Sequence, residues 1–417
     1  AEQGGLGGHQ WAHASTSNFI TWDHHPLALP IGPPGSVDQH GICTGSIFEH
    51  EDVYNAFYAT RIRNGDGSVS EVVCRATSRD LIHFDKSPTN PLFPAPPSYD
   101  RGNHRDPFVF RHPQTGMFHM LVTASREGRG VLAHYTSPDL EVWTLEEPFL
   151  TGRDHHTPEC PELFEWNGWW YLIYGHNAQL EYRMARDPLG PWQEAPFGTI
   201  EGAILRVPRT AAFTGGRRLA AGFLAWREHG RDEGDYVYAG SAVFRELLQG
   251  ADGTLRTCFV PEMLPQTGPA LSVQSPVVLN AGEDMRTMRI MDAPADCILS
   301  IRLTATGNAG EFGLILRSDE RLETGYRLLF HPRNGRMSLR SWPDGGGQLQ
   351  AGIDGIEGLD RGVNVMICMK DSIIDICVNG QQTAVERCFN DRGTTLGVFT
   401  RAGAVRVEGL LVASLGS

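Results

Sequence analysis

The sequence predicts an all-β protein, a β-propeller followed by a C-terminal β-sandwich, and three observations predict it. One phrase, a strand followed by an aromatic and a Pro-containing exit, recurs four times in the first half of the chain. Gly (48) and Pro (26) are plentiful while long helical periodicity is scarce, as in turn-rich β proteins. From about residue 277 onward, short runs alternate apolar and polar residues between turn residues.

The recurring phrase reads NFITWDHHPLALP, DLIHFDKSPTNPLF, DLEVWTLEEPFL and PLGPWQEAPFG, and places Trp22, Phe84, Trp143 and Trp192 about 50 to 60 residues apart. Between the copies lie hydrophobic strands such as VYNAFYAT, MFHMLVTA and WWYLIYG. That period suits one propeller blade per repeat, and radial stacking leaves a central channel where the innermost strands begin. The pattern fades after SAVFRELLQGADGTLRTCFVPEML, so the propeller is expected over residues 1–265 and a Pro- and Gly-bearing linker over 266–276. The sandwich is expected over 277–417, from strands that include CILSIRLTAT, EFGLILRS, GYRLLFHP, VNVMICMK, SIIDICVNG and AVRVEGLLVA.

The 417 residues suit two domains, each with its own core. A net charge of −13 without any basic run argues against a nucleic-acid partner. No apolar run is long enough to span a bilayer, so no membrane partner is expected. The first residues, AEQGGLGGHQ, lack the charged-then-apolar pattern of a secretion leader. Eight cysteines without CxxC spacing suggest free thiols and a cytoplasmic location, with secretion of a processed chain as the alternative.

Two carboxylates stand ahead of apolar strands one blade apart: Asp106 in NHRDPFVF and Glu159 in HHTPECPELF. Retaining cleavage of a glycosidic bond needs two such groups about 5 to 5.5 Å apart. Arg105 would keep Asp106 ionised, whereas Pro158, Cys160 and Pro161 would desolvate Glu159 and keep it protonated. The competing reading is an ordinary Asp-Pro turn and a solvated Glu. Histidines 9, 13, 24, 25, 155 and 156 lack ligand-set spacing and any carboxylate to orient their rings, so no metal is expected. GGLGG has no strand before it and no helix after it, so it is no nucleotide fingerprint, and no cofactor is implied.

These phrases, together and in order, resemble glycoside hydrolase family 32, the invertases, inulinases and levanases. HQWAHASTSNFITWDHHPLALPI resembles the family's tryptophan-glycine-histidine-alanine segment, and GICTGSIF its serine-glycine-serine motif. HRDPFVF resembles the arginine-aspartate-proline motif, PECPELFEWNGWWYLIY the glutamate-cysteine-proline motif, and EFGLILRS and KDSIIDICVNGQQTAVERCF strands of the family's sandwich. The resemblance implies a five-bladed propeller, the first blade incomplete at its N-terminus, and a fructose-containing substrate.

By the same resemblance Glu159 is the general acid/base, Asp106 the transition-state stabiliser, and Arg105 an aid at the same sugar. Trp11 would wall the fructose pocket, and Trp226, in RLAAGFLAW, matches an aromatic at the end of the last blade's inner strand. Cys43 and Thr44 stand where a phenylalanine and a serine usually contact substrate, and Cys160 adjoins the acid. The nucleophilic aspartate of the family's tryptophan-methionine-asparagine-aspartate-proline-asparagine segment does not occur in the chain, and Asp23 does not stand in its place. The expected activity is retaining hydrolysis of terminal β-fructosyl units from sucrose or fructans. A fructosyltransferase, including a difructose anhydride-forming one, and a non-catalytic fructan-binding homologue are the alternatives. A separate N-terminal fragment and a second copy of the chain are the protein partners left open.

Overall fold

A computed structural model describes residues 8–177, 179–200, 205–265, 267–272, 276–307, 310–343, 349–389 and 393–415. Apart from Gly8, the GGLGG run lies outside these residues, as do Gln266 and residues 273–275 of the expected linker. The regular structure of the described residues is almost entirely strand, and none of their helices is long and apolar enough to cross a membrane.

A two-stranded ribbon, β1 (Ala14–Ser15) and β2 (Asp23–His24), comes first. The first blade sheet holds β3 (Ile42–His50), β4 (Val53–Arg63), β5 (Val69–Ser78), β6 (Asp85–Lys86) and β7 (Phe93–Pro94). The second holds β8 (His104–Arg111), β9 (Phe118–Arg126), β10 (Arg129–Ser137), β11 (Thr144–Leu145) and β12 (Leu150–Thr151). The third runs through β13 (Glu159–Trp166), β14 (Trp169–His176), β15 (Gln179–Ala185) and β16 (Gln193–Thr199), and the fourth through β17 (Leu205–Ala212), β18 (Arg218–Arg227), β19 (Tyr236–Gln249) and β20 (Leu255–Cys258). Antiparallel neighbours in sequence are neighbours in each sheet, as a blade requires.

Five blades are expected, and four blade sheets are present among the described residues. Residues 8–41 supply only the β1–β2 ribbon and a Trp11–Leu29 bridge. Pro26, Pro30, Pro33 and Pro34 lack the amide a ladder needs, so this stretch cannot add full strands. The ribbon is nonetheless the outer hairpin of a blade. In β1–β2, β5–β6 and β10–β11 alike, Thr16, Ser78 or Ser137 accepts hydrogen bonds from the amides two and three residues on. Asn18, Asp80 or Asp139 accepts from the next two amides. Phe19, Leu81 and Leu140 take the same left-handed conformation, at φ 59°, 64° and 65°. The recurring phrase is therefore one turn built three times, an Asx and hydroxyl turn that closes on its own side chains.

By packing, the chain forms two compact units, Ala1–Asn177 with Glu181–Ala195, and Ala178–Leu180 with Pro196–Ser417. In the first, Phe57 and Val73 meet Val109, Met120, Val122 and Tyr135 between the first two sheets. Phe110, Leu121 and Leu132 meet Leu163, Leu172 and Tyr174 between the second and third.

The second unit joins the fourth blade sheet to eleven further strands. They are β21 (Leu271–Ser272), β22 (Val277–Asp292), β23 (Cys297–Thr306), β24 (Glu311–Ser318), β25 (Gly325–His331), β26 (Arg336–Trp342), β27 (Leu349–Ile353), β28 (Val363–Lys370), β29 (Ile373–Val378), β30 (Gln382–Arg387) and β31 (Thr395–Ser414). The long β31 pairs with β24 through its first half and with β23 through its second, bending at Ala402 and Gly403 (φ 59° and 69°). Two layers thus share one core, with Leu299, Ile301 and Ile376 against Phe312, Leu328 and Leu339. The expected linker is partly paired: Leu271 and Ser272 add to β31, and Thr267 bridges Leu415.

Buried ion pairs explain why the fourth sheet packs with these strands. Arg245 grips Asp375 with bonds of 3.0 and 2.7 Å, Arg227 reaches Glu386 at 2.9 Å, and Tyr326 donates to Asp232 at 2.6 Å.

Two predictions follow from this packing. Ser137→Ala leaves the buried Leu140 amide without its acceptor and should lower stability by about 1–3 kcal/mol, measured by urea unfolding. Burial pulls His104 and His134 from the ordinary 6.5 down to about 4, with His119 adding to the effect on His134. The unfolded chain then binds protons that the folded chain refuses, so stability should fall as pH drops from 6.5 toward 4. The urea midpoint should show that slope, and His134→Gln should flatten it.

Candidate active site

Each blade sheet begins with the same irregularity. The innermost strand slips against its neighbour between Ile42 and Gly45, Arg105 and Phe108, Glu159 and Glu162, and Arg206 and Arg209. In three of the four, the slip falls on a residue followed by proline: Asp106-Pro107, Cys160-Pro161 and Val207-Pro208. Proline gives the ladder no amide, so a bulge forms there. The preceding residues sit at φ 56°, 49° and 38°. Left-handed backbone costs a non-glycine residue about 1–2 kcal/mol, and such outliers gather at functional sites.

The bulges of the second and third sheets are fastened to each other. The Cys160 amide donates to Asp106 Oδ2 at 3.1 Å, and Arg105 Nη2 donates to Glu159 Oε1 at 2.6 Å. Arg105 Nε lies 3.6 Å from Asp106 Oδ2, so Glu159 and not the adjacent Asp106 is its closer carboxylate. Behind Arg105 stands Glu71, fully buried on β5, with Arg105 Nη1 at 3.5 Å. Glu71 also accepts from Arg61 Nε at 2.9 Å and from the His104 amide at 3.0 Å. Burial works against the Arg105 charge, yet the carboxylates of Asp106, Glu71 and Glu159 outweigh it and raise the guanidinium above its ordinary range.

One expectation is overturned. Asp106 is the buried carboxylate, at 3% exposure, whereas the Glu159 side chain is 48% exposed. Cys160 and Pro161 are buried, and the left-handed bulge at Cys160 leaves Glu159 on the open side.

The remaining residues fall into two groups. Trp11 is half-buried, donates through Nε1 to the Cys43 carbonyl at 2.9 Å and meets Tyr58 edge-on at 6.3 Å. Burial pushes the Cys43 thiol up to about 12, with Glu71 and Asp106 raising it and Arg61 and Arg105 lowering it, so its sulfur lies in the field of the same cluster. Thr44 shares the first sheet's bulge with Cys43. Trp226 belongs to the second compact unit, where it is 43% exposed, edge-on to Phe389 at 5.4 Å and covered by the Arg387 guanidinium at 4.2 Å.

Sequence reasoning missed three things. Glu71 and Arg61 carry no local signal. Arg206-Val207-Pro208 could have been found as the third copy of a residue-Pro pattern at successive blade starts. The histidines near β13 do have an orienting carboxylate, because Asp154 Oδ1 lies 3.2 Å from His156 Nδ1 and 3.1 Å from His176 Nε2.

Residues 2–184 match the family described as the glycosyl hydrolases family 32 N-terminal domain. The sucrose-6-phosphate hydrolase of Escherichia coli is 26% identical over 268 residues, 59% of this chain and 54% of that enzyme. That of Klebsiella pneumoniae is 32% identical over 162 residues, 37% of this chain and 33% of that enzyme. The chain thus spans about half the length of the Escherichia coli and Salmonella typhimurium enzymes that it matches. Among solved structures, sucrose-6-phosphate hydrolase from Lactobacillus gasseri superposes with a TM-score of 0.73 at 19% identity, covering 98% of this chain and 85% of that one. Fructan 1-exohydrolase IIa from Cichorium intybus, in complex with 1-kestose, gives 0.75 at 15% identity, covering 99% and 91%. At these identities the structural likeness is one of fold.

Removing the charge behind Arg105 tests the cluster. Glu71→Gln leaves Arg61 and Arg105 without their buried partner and should cost about 3–5 kcal/mol in urea unfolding.

Proposed function

We propose that this chain, whose residues 2–184 match the glycosyl hydrolases family 32 N-terminal domain, serves a retaining hydrolase of that family that releases terminal β-fructosyl units from sucrose or a fructan. The observation that carries the reading is the linkage of Glu159 and Asp106 through Arg105 and the Cys160 amide at two strained strand starts. Two carboxylates and one guanidinium on rigid sheet ends suit a sugar that must be gripped on one side and protonated on the other.

In this mechanism Glu159 protonates the leaving oxygen and then activates water, and its half-exposed position gives a substrate access to it. Arg105 occupies Glu159 Oε1 in the free protein, so an arriving substrate has to take over that bond before proton transfer. Asp106 accepts hydrogen bonds from sugar hydroxyls, with Arg105 alongside, and these bonds strengthen as the oxocarbenium-like state develops. Trp11, Cys43, Thr44 and Cys160 line the sugar site. None of the aspartates in these 417 residues is assigned as the attacking group. The reaction requires no cofactor. The similarity to sucrose-6-phosphate hydrolases adds the 6-phosphorylated disaccharide to the substrates to assay.

We also assign residues 1–265 to the propeller, 266–276 to a linker and 277–417 to the sandwich. The eight free cysteines support a cytoplasmic location.

The test is fructose release from sucrose, sucrose 6-phosphate and 1-kestose by the native polypeptide. Glu159→Gln should lower turnover by about 10²–10⁴-fold with unchanged circular dichroism. The second reading is a fructan-binding homologue. That reading predicts no turnover in any form of the protein and binding that survives Glu159→Gln. Transfer products in place of free fructose would assign a fructosyltransferase.

A further inference from the structure

The loop leading into β13 carries a constellation to which the mechanism above assigns no role. Asp154, His155 and His156 bring one potential ligand atom each to within 4.8 Å of one another. The two imidazoles lie 4.1 Å apart, centroid to centroid, at an interplanar angle of 33°. The edge of a tetrahedral zinc site with bonds near 2.0–2.1 Å is about 3.4 Å. The Asp154 and His156 side chains are 38% exposed and His155 is exposed, so small side-chain rotations close the difference.

The loop is built to hold that geometry. The Gly130 amide donates to the Asp154 carbonyl at 3.0 Å, and the Gly152 amide donates to the Gly130 carbonyl at 2.8 Å. Gly130 packs so closely that a Cβ there would lie 2.0 Å from the His156 carbonyl oxygen. Two residues further on, Thr123 Oγ1 donates to the Pro158 carbonyl at 2.9 Å.

Outer partners then orient the ligands. Asp154 Oδ1 accepts from the His156 amide at 2.8 Å and lies within hydrogen-bond distance of His156 Nδ1 and His176 Nε2. Its other oxygen has Arg153 Nε no nearer than 4.0 Å. His176 Nδ1 lies 2.9 Å from Arg153 Nη2 and 3.1 Å from Glu181 Oε1, so the ring that faces Asp154 through Nε2 is held on its other side by a fixed cation and a fixed carboxylate. Arg153 is itself held by Glu181 at 2.6 and 3.2 Å. A ring-bearing second partner on the ligating carboxylate is a common arrangement at metal centres.

We propose that Asp154, His155 and His156 form a binding site for a zinc-class divalent transition metal, with His176 as the residue that positions Asp154. Two imidazole nitrogens and one carboxylate oxygen suit Zn²⁺, Ni²⁺ or Cu²⁺ and not Mg²⁺ or Ca²⁺, which need more oxygens. Three protein ligands leave a coordination position open to water. The inference rests on this loop alone and stands apart from the role of Glu159.

The experiment uses tag-free protein stripped with EDTA. Zn²⁺ is titrated against a chromophoric chelator, and Co²⁺ is added separately for its visible absorption. One site per chain, with the intense Co²⁺ bands of low coordination number, is expected. His155→Ala/His156→Ala and Asp154→Asn should each weaken Zn²⁺ by more than about tenfold, and His176→Ala by about 10- to 100-fold. The His13 and His25 rings, 4.6 Å apart, are the competing location, so His13→Ala/His25→Ala should bind like the parent. Thermal midpoints verify folding, and Asp154→Asn stands in if the double variant misfolds. No Zn²⁺ uptake by the parent, unchanged affinity in the double variant and Asp154→Asn, or loss confined to His13→Ala/His25→Ala would each overturn the proposal.

Discussion

One guanidinium ties three sheets together. Arg105 starts the second blade sheet, reaches back to Glu71 in the first and forward to Glu159 in the third. A buried positive charge is tolerable only where negative partners surround it, and here three carboxylates do so. The arrangement also fixes where those carboxylates stand, so one desolvated cation serves both packing and chemistry. Glu71 has no exposed surface of its own to offer a substrate, and its place is to hold Arg105 with Arg61 behind it.

The strained bulges supply the second constraint. A strand start that turns left-handed ahead of proline redirects its side chains out of the regular in-out alternation. Asp106 thereby reaches the Cys160 amide across the gap between sheets, and Glu159 emerges on the open side. The same irregularity at Val207 places a β-branched residue at φ 38°, which no packing preference explains, so the pattern follows the blade start and not the residue type.

Much of this was legible from residues. The recurring phrase marked the closing hairpins, because Thr16, Ser78 and Ser137 with Asn18, Asp80 and Asp139 write a local turn that depends on nothing distant. Asp106 and Glu159 were legible as carboxylates ahead of apolar strands, and burial of Leu299, Ile301 and Leu303 follows the alternation of their segment. The exposure of Glu159 was not legible, since neighbouring prolines suggest burial while the bulge decides which side faces out. Glu71 was invisible because its partners lie 10 and 34 positions along the chain. The fifth blade came from the resemblance, with its first blade expected to be incomplete, and of that blade residues 14–24 hold a closing hairpin and no full sheet.

The closing hairpin has a consequence for how the chain folds. Each copy satisfies four consecutive amides with its own hydroxyl and carboxyl or carboxamide oxygens, so these bonds depend on no neighbouring sheet. Contacts this short in sequence form fast, while the pairing of long strands waits on loop closure. In a chain emerging from synthesis each corner follows the three long strands of its blade, so a corner once made fixes the register of β6 on β5 and of β11 on β10 and closes a blade whose long strands are already out.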